Sequence, residues 1–228
     1  MKRFSLLGLS RFERGLWAAS VAVMLLGYFV SPEGGELNLF ASLIGVTALI
    51  FVAKGHVIGQ ILTVIFAVLY GVISFEQRYY GEMITYLCMT APIAALSVIS
   101  WLRHPYEGSA EVEVGSLSRK QKIFLFAATN LTTVAFYFVL KALDTANLFF
   151  STISVTTSFL ASSLTFFRSP FYALGYAAND VVLIVLWIMV SVEDPSYFVM
   201  AACFVMFLLN DLYGFFNWRR MKKRQVIL

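Results

Sequence analysis

Long apolar runs separated by short polar breaks organise this chain. Eight stretches, 16–30, 37–53, 57–75, 83–101, 123–140, 147–167, 171–191 and 196–218, approach or meet the ~20 apolar residues that a helix needs to cross a bilayer. The pattern predicts an all-α membrane protein with about eight transmembrane helices. The first stretch is the shortest, and a secretory signal is its rival reading. Arg11 and Arg14 stand late before its core, and Ser31-Pro32-Glu33-Gly34-Gly35 makes a poor small-x-small cleavage site, so it reads as an uncleaved helix.

Composition agrees with the pattern. The chain is 60% hydrophobic and only 13% charged, against about 25% charged in soluble domains. Cys88 and Cys203 both lie in apolar runs, where a free thiol behaves as a small hydrophobe. A net charge of +4 would suggest nucleic acid only if it formed a basic face on a soluble surface. Here the charges fall between the apolar segments, and topology accounts for them. With the N-terminus inside, every Lys and Arg except Arg78 and Lys141 falls in an inside segment, which predicts that both termini are cytoplasmic. The 103–122 connection, the only long polar one, reads as a flexible cytoplasmic linker. The basic run from Arg219 to Arg224 reads as a topology anchor.

An internal repeat is visible. Asn38-Leu39-Phe40-Ala41-Ser42-Leu43-Ile44-Gly45-Val46-Thr47 lies over Asn147-Leu148-Phe149-Phe150-Ser151-Thr152-Ile153-Ser154-Val155-Thr156 with seven identities in ten, and a later series at an offset of 117 pairs Val64 with Val181, Glu76 with Glu193, Trp101 with Trp218 and Arg103 with Arg220. Three helices per unit with one helix between them predict a 3+1+3 parallel repeat preceded by one extra N-terminal helix, an arrangement found in transporters. The expected divisions are 1–36 (cytoplasmic N-terminus and extra helix), 37–102 (first repeat), 103–146 (linker and central helix), 147–218 (second repeat) and 219–228 (basic cytoplasmic tail).

Asp180 and Asp211 are the only acids inside the apolar runs, and each follows an asparagine, Asn179 or Asn210. An acid in a span costs several kcal/mol (roughly 2.5–3.5 on insertion scales) and by default faces a cavity or a partner. A structural polar knot between two helices is the plainer alternative. Helical spacing puts Tyr176, Asn179 or Asp180, Leu183 and Trp187 along one face, with Gln60, Thr63, Ala67 and Tyr70 on the matching face of the first repeat and Phe207, Asn210, Tyr213 or Gly214 and Asn217 on the last helix. Amides, carboxylates and rings converging there suit a small, flat, hydroxylated ligand. Trp187 and Tyr213 could equally anchor at the membrane interface, and Trp218, next to Arg219, reads as such an anchor. The hydroxyl-rich run 147–167 suits pore lining and close packing equally. With two acids and no Lys or Arg inside the runs, a cavity there favours a cation or a neutral solute over a phosphate.

Enzymatic patterns are missing. There is no His/Cys cluster, glycine-rich phosphate loop or Gly-x-Ser-x-Gly elbow, and Leu208-Leu209-Asn210-Asp211 stands where an intramembrane aspartyl protease has Gly-x-Gly-Asp. No cofactor, metal or enzymatic activity is expected.

The ending Asn210-Asp211-Leu212-Tyr213-Gly214-Phe215-Phe216-Asn217-Trp218-Arg219-Arg220-Met221, with Asn179-Asp180 and the repeat, resembles the Pnu family of vitamin transporters over nearly all of 37–223. The resemblance implies a fold related to the SWEET sugar transporters, facilitated diffusion of an unphosphorylated vitamin precursor across a bacterial inner membrane, trapping by a cytoplasmic kinase, and homotrimers. Nicotinamide riboside fits the residues: its pyridinium is a flat cation suited to aromatic faces and a carboxylate, and its ribose suits asparagines. The expected contacts are Asn179, Asp180 and Trp187, then Gln60, Tyr70, Tyr176, Asn210 and Asp211. Family members often carry a tryptophan-rich turn where this chain has Tyr172-Ala173-Leu174-Gly175-Tyr176. A (deoxy)nucleoside or thiamine is therefore the alternative solute, and a proton-coupled exporter or a purely structural subunit the alternative class.

Overall fold

The computed structural model describes residues 8–30, 35–76, 80–145, 147–193 and 198–227. Among these the chain is helical: α1 (Arg11–Val30), α2 (Gly35–Ala53), α3 (Val57–Glu76), α4 (Tyr80–Thr85), α5 (Ala91–Leu102), α6 (Arg119–Ala142), α7 (Leu148–Phe166), α8 (Tyr172–Glu193) and α9 (Phe198–Ile227). A π-helical turn, Tyr86–Thr90, joins α4 to α5, so that the pair counts as one crossing. Among the described residues, eight helices are long and apolar enough to cross a membrane. This is the all-α membrane architecture expected from the hydrophobic runs. In hydrocarbon only a helix satisfies its own backbone polar groups within one segment, which is why those runs become helices.

The π turn has a local cause. Pro92 has no N–H to give the Cys88 carbonyl, so the regular ladder is interrupted at this point. The widened turn resets the register of Tyr86 relative to α5.

Successive helices alternate in direction, which puts Lys54, Arg103, Arg168 and Arg219 at one end of the bundle, called here the basic end. Two helix stops at this end are alike. Gly55 (φ 66) and Arg168 (φ 56) take left-handed backbone, and the following N–H groups, of His56 and Ser169, reach back to the carbonyls of Phe51 and Leu164. That is the Schellman pattern of a helix end. Beyond the first stop, the His56 Nδ1 accepts the Ile58 N–H at the start of α3. Burial, reinforced by the neighbouring Lys54, pulls the imidazole below its ordinary pKa, in keeping with a neutral ring that accepts.

The last carbonyls of α2 and α7 are capped from the opposite half of the chain. Trp218 Nε1 donates to Val52 O (2.9 Å) and Asn217 Nδ2 to Ala53 O (2.8 Å). Trp101 Nε1 donates to Thr165 O (3.0 Å) and Ser100 Oγ to Phe166 O (3.0 Å). The indoles of Trp101 and Trp218 meet at 5.4 Å between ring centres, with Tyr172 against Trp218 at 5.0 Å. Trp218 is 0% exposed. The interface anchor expected at this position is instead the centre of a buried cluster, because the indole N–H finds a carbonyl that α2 leaves without an intrahelical partner.

A second correction concerns the connection between the halves. The linker expected to be flexible is a strap docked on the basic end. Its Glu111-Val112-Glu113-Val114 alternation turns Val112 into the Trp101–Trp218 cluster while Glu113 faces out. Val112 N donates to Gly55 O and Gly115 N to Arg168 O, each at 2.9 Å, so the strap bonds to both helix-stop residues. The basic run expected as a tail continues α9 and clasps the strap. Gln225 accepts from Val114 N (2.7 Å) and donates to Val112 O (3.1 Å), Lys222 reaches Ser116 (2.9 Å), and Arg224 pairs with Glu111.

The extra first helix is held by polar contacts. Glu13, nearly fully buried, accepts from Tyr213 Oη (2.7 Å) and pairs with Lys54 (3.2 Å), while Asn210 Nδ2 donates to Ser20 Oγ (2.9 Å). On the other side α6 packs chiefly on α7 and leaves Phe124, Phe126, Leu131 and Phe138 exposed, as a lipid-facing helix should.

Gly59 sets the closeness of α2 and α3. A Cβ there would overlap the Val52 nitrogen and the Phe51 carbonyl carbon, backbone atoms that cannot rotate away. Overpacking costs up to about 3 kcal/mol and alanine regains about 1 in helix propensity, so Gly59→Ala should destabilise by about 2 kcal/mol. In detergent this should appear as a fall of about 5 °C in apparent Tm. An unchanged melting profile would mean that the two helices separate freely.

Candidate functional site

At mid-depth, α8 and α9 bring the two membrane aspartates together. Asp180 and Asp211 are 4% and 3% exposed, and their carboxyls lie within hydrogen-bonding range of one another. A carboxylate only accepts, so a bond between two carboxyls requires a proton on one of them. Asp180 Oδ2 is buried without a protein partner. Buried polar atoms are nearly always bonded, so an orphaned carboxyl oxygen marks a place where a ligand group or water is received.

Asn179 is buried beside Asp180, and its Oδ1 accepts from Ser154 Oγ (2.9 Å) and Thr157 Oγ1 (3.0 Å) of α7. Those bonds orient the amide and leave its NH2 as the end available to a ligand. Tyr176, one turn earlier on α8, shares a hydrogen bond of 2.9 Å with Ser162. The hydroxyl-rich α7 thereby bonds to both of its neighbours, α8 and α6. Ser154, Thr157 and Ser162 position the site, whereas Thr156 bonds Thr133 of α6 at 2.8 Å and holds the packing.

The first half supplies the aromatic wall. Phe66 and Tyr70 of α3 stack at 5.6 Å, and Tyr86, at the start of the π turn, meets Tyr70 at 4.5 Å and Phe66 edge-on at 6.0 Å. Phe66 also touches Phe207 of α9 at 6.5 Å. Gly45 of α2 lies against both Phe66 and Phe207, where a Cβ would come within 3.2–3.4 Å of the rings. Phe207 lies one helical turn from Asp211 on α9, which joins the wall to the helix of the carboxyl pair.

The residues proposed from sequence thus divide. Asn179, Asp180, Tyr176, Asp211 and Tyr70 belong to one connected region. Gln60, 3% exposed, is buried on α3 one turn from its start. Trp187 is half-buried toward the far end of α8, where its carbonyl accepts from Ser191 Oγ. Asn210 turns its NH2 away, to Ser20 and to its own helix at Met206 O. Sequence reasoning passed over Phe66, Glu82 and Tyr86. Glu82 lies just before the apolar run that begins at 83, where hydropathy alone reads it as a loop acid. Its spacing of four from Tyr86, one helical turn, was the available signal.

An all-α bundle of eight membrane-length helices with a paired-carboxyl and amide site buried between α7, α8 and α9 is built as a membrane transporter is built. The family described as "Nicotinamide mononucleotide transporter" matches residues 36–220, and the chain belongs to that family. The likeness read from the tail motif is thereby borne out, since its relatives carry the PnuC name. A protein of Neisseria mucosa described as nicotinamide riboside transporter PnuC is 26% identical over 223 residues, covering 92% of this chain and 84% of its own. A Haemophilus influenzae protein of the same description is 23% identical over 211 residues, covering 92% and 90%. The crystal structure of the vitamin B3 transporter PnuC superposes with a TM-score of 0.80 at 23% identity, over 96% of this chain and 94% of that one, and so has the same fold.

Proposed function

We propose that this protein is an inner-membrane uniporter for nicotinamide riboside, with both termini cytoplasmic. Its candidate site is a buried carboxyl pair with an orphaned oxygen on Asp180, flanked by amide and tyrosine groups and lacking any Lys or Arg among the described residues around it. That observation carries the reading. A pyridinium cation is matched by the carboxylate and the tyrosine faces, and its ribose by the free NH2 of Asn179. The family description names the mononucleotide, yet a phosphate here would meet Asp180 and Asp211 with no counter-charge, which favours the riboside named in the two curated relatives. Asn179, Asp180 and Trp187 are the first contacts in this reading, with Gln60, Tyr70, Tyr176, Asn210 and Asp211 next. The two halves rock about the site without ion coupling, the reciprocal caps of Trp101 and Trp218 joining them at the cytoplasmic side. A cytoplasmic kinase traps the product by phosphorylation, and the working unit is a homotrimer.

The test is a thermal-shift panel on detergent-purified protein with nicotinamide riboside, nicotinamide mononucleotide, thymidine, thiamine and riboflavin. A ligand that binds the folded state raises Tm according to its concentration over Kd, so selective stabilisation by the riboside is expected. Riboside uptake into proteoliposomes should then be saturable and indifferent to an imposed pH gradient. Selective stabilisation by thymidine or thiamine would replace the substrate. Acceleration by a proton gradient would replace uniport with coupling through Asp180 and Asp211.

A further inference from the structure

Toward the end opposite the basic one, the site region has a third acid that the mechanism so far leaves unused. Glu82 lies one helical turn before Tyr86 on the α4 crossing, and Tyr70 Oη donates to its Oε2 at 3.0 Å. Among the described residues no Lys or Arg pairs with it, the ion pairs there being Lys54–Glu13 and Arg224–Glu111. Beside it the rings of Tyr70 and Tyr86 meet at 4.5 Å and 56°, a wedge rather than a closed stack, and Phe66 backs both. The π turn begins at Tyr86, and such turns occur frequently at functional sites because they re-aim a side chain out of the helical register.

A carboxyl group bonded to the Tyr70 hydroxyl beside two contacting tyrosine rings is an arrangement suited to a flat aromatic cation. The ring quadrupoles attract the positive face of the ligand, and the acid supplies the counter-charge at the ring edge. A neutral nucleobase would gain the stacking alone. Tyr70 fixes one Glu82 oxygen and so orients the other.

Resting on the nicotinamide riboside reading, we propose that Glu82, held by the Tyr70 hydroxyl beside the Tyr70–Tyr86 ring pair, is the residue that selects a cationic aromatic ring over an uncharged one of the same shape. Asp180 and Asn179 take the polar part of the ligand, and Glu82 discriminates its charge.

The experiment measures Kd by titration calorimetry on the full-length protein with two probes, nicotinamide riboside and its uncharged dihydro form. For wild type, binding of the cationic riboside is expected to be the tighter. Glu82→Gln should weaken the cation at least about tenfold and change the dihydro form by less than about twofold, because only the charge is removed. Tyr70→Phe keeps the acid but frees it, and should give a smaller loss confined to the cation. That variant carries the test if Glu82→Gln fails to fold. Tyr86→Leu should weaken both probes, since both stack. Equal losses for the two probes in Glu82→Gln, or none, would overturn the assignment of Glu82 while leaving the transporter reading in place. Wild-type protein that binds neither probe would remove the substrate reading, and the selectivity role with it.

Discussion

Asp180→Asn is expected to cut riboside uptake about ten- to a hundredfold, the consequence of losing a charged contact worth about 1.5–3 kcal/mol. Asp180 is buried, one of its oxygens has no protein partner, and its neighbour Asp211 is close enough to bond to it. The new amide can still donate to Asp211, so the polar link between α8 and α9 survives the change. Removing a buried acid also relieves a desolvation cost, and stability in detergent should stay level or rise. Folding and transport are thereby separated, and uptake from proteoliposomes is the measurement. Wild-type uptake by a well-folded variant would reduce Asp180 to the structural knot that was the plainer alternative.

Trp218→Ala is expected to be the most destabilising single change. The ring is 0% exposed, packs on Trp101 and Tyr172, and donates to the Val52 carbonyl. Truncating a buried tryptophan costs about 3–5 kcal/mol, while the Val52 carbonyl keeps its bond from Gly55 N (2.9 Å). Trp218→Phe keeps most of the packing and loses the hydrogen bond, for about 1–3 kcal/mol. Fluorescence-detected size exclusion after heating should rank wild type above Trp218→Phe and Trp218→Ala lowest. Equal survival of all three would mean that the cluster does not hold the basic end together.

Much of the fold was legible in the sequence. The apolar runs marked all eight crossings because the cost of putting an unsatisfied backbone or a charge into lipid is paid locally, residue by residue. The same economy singled out Asp180 and Asp211, since an acid surviving inside a run needs a reason. Glu82 escaped notice because it sits at the edge of a run, where hydropathy does not distinguish a loop acid from a buried one. The strap was misread for a related reason. Gly108, Gly115 and mixed charge suggest a mobile linker, whereas the two-residue alternation of Val112 and Val114 becomes meaningful only when an apolar cluster is waiting beneath it.

Partner choice is where local reading stops. Asn210 follows the same Asn-Asp pattern as Asn179, yet one amide is turned to Ser20, 190 residues away in the chain, and the other to Ser154 and Thr157. Trp218 beside Arg219 has the sequence of an interface anchor and the structure of a core residue, because the last carbonyls of α2 end next to it and its indole N–H bonds Val52 O. The number and apolar character of the helices follow from transfer free energies that each segment carries by itself, and these were present in the order of residues. Which polar groups face one another depends on how segments far apart in the chain pack, and only the folded chain decides which of them are satisfied by protein and which are left for a ligand.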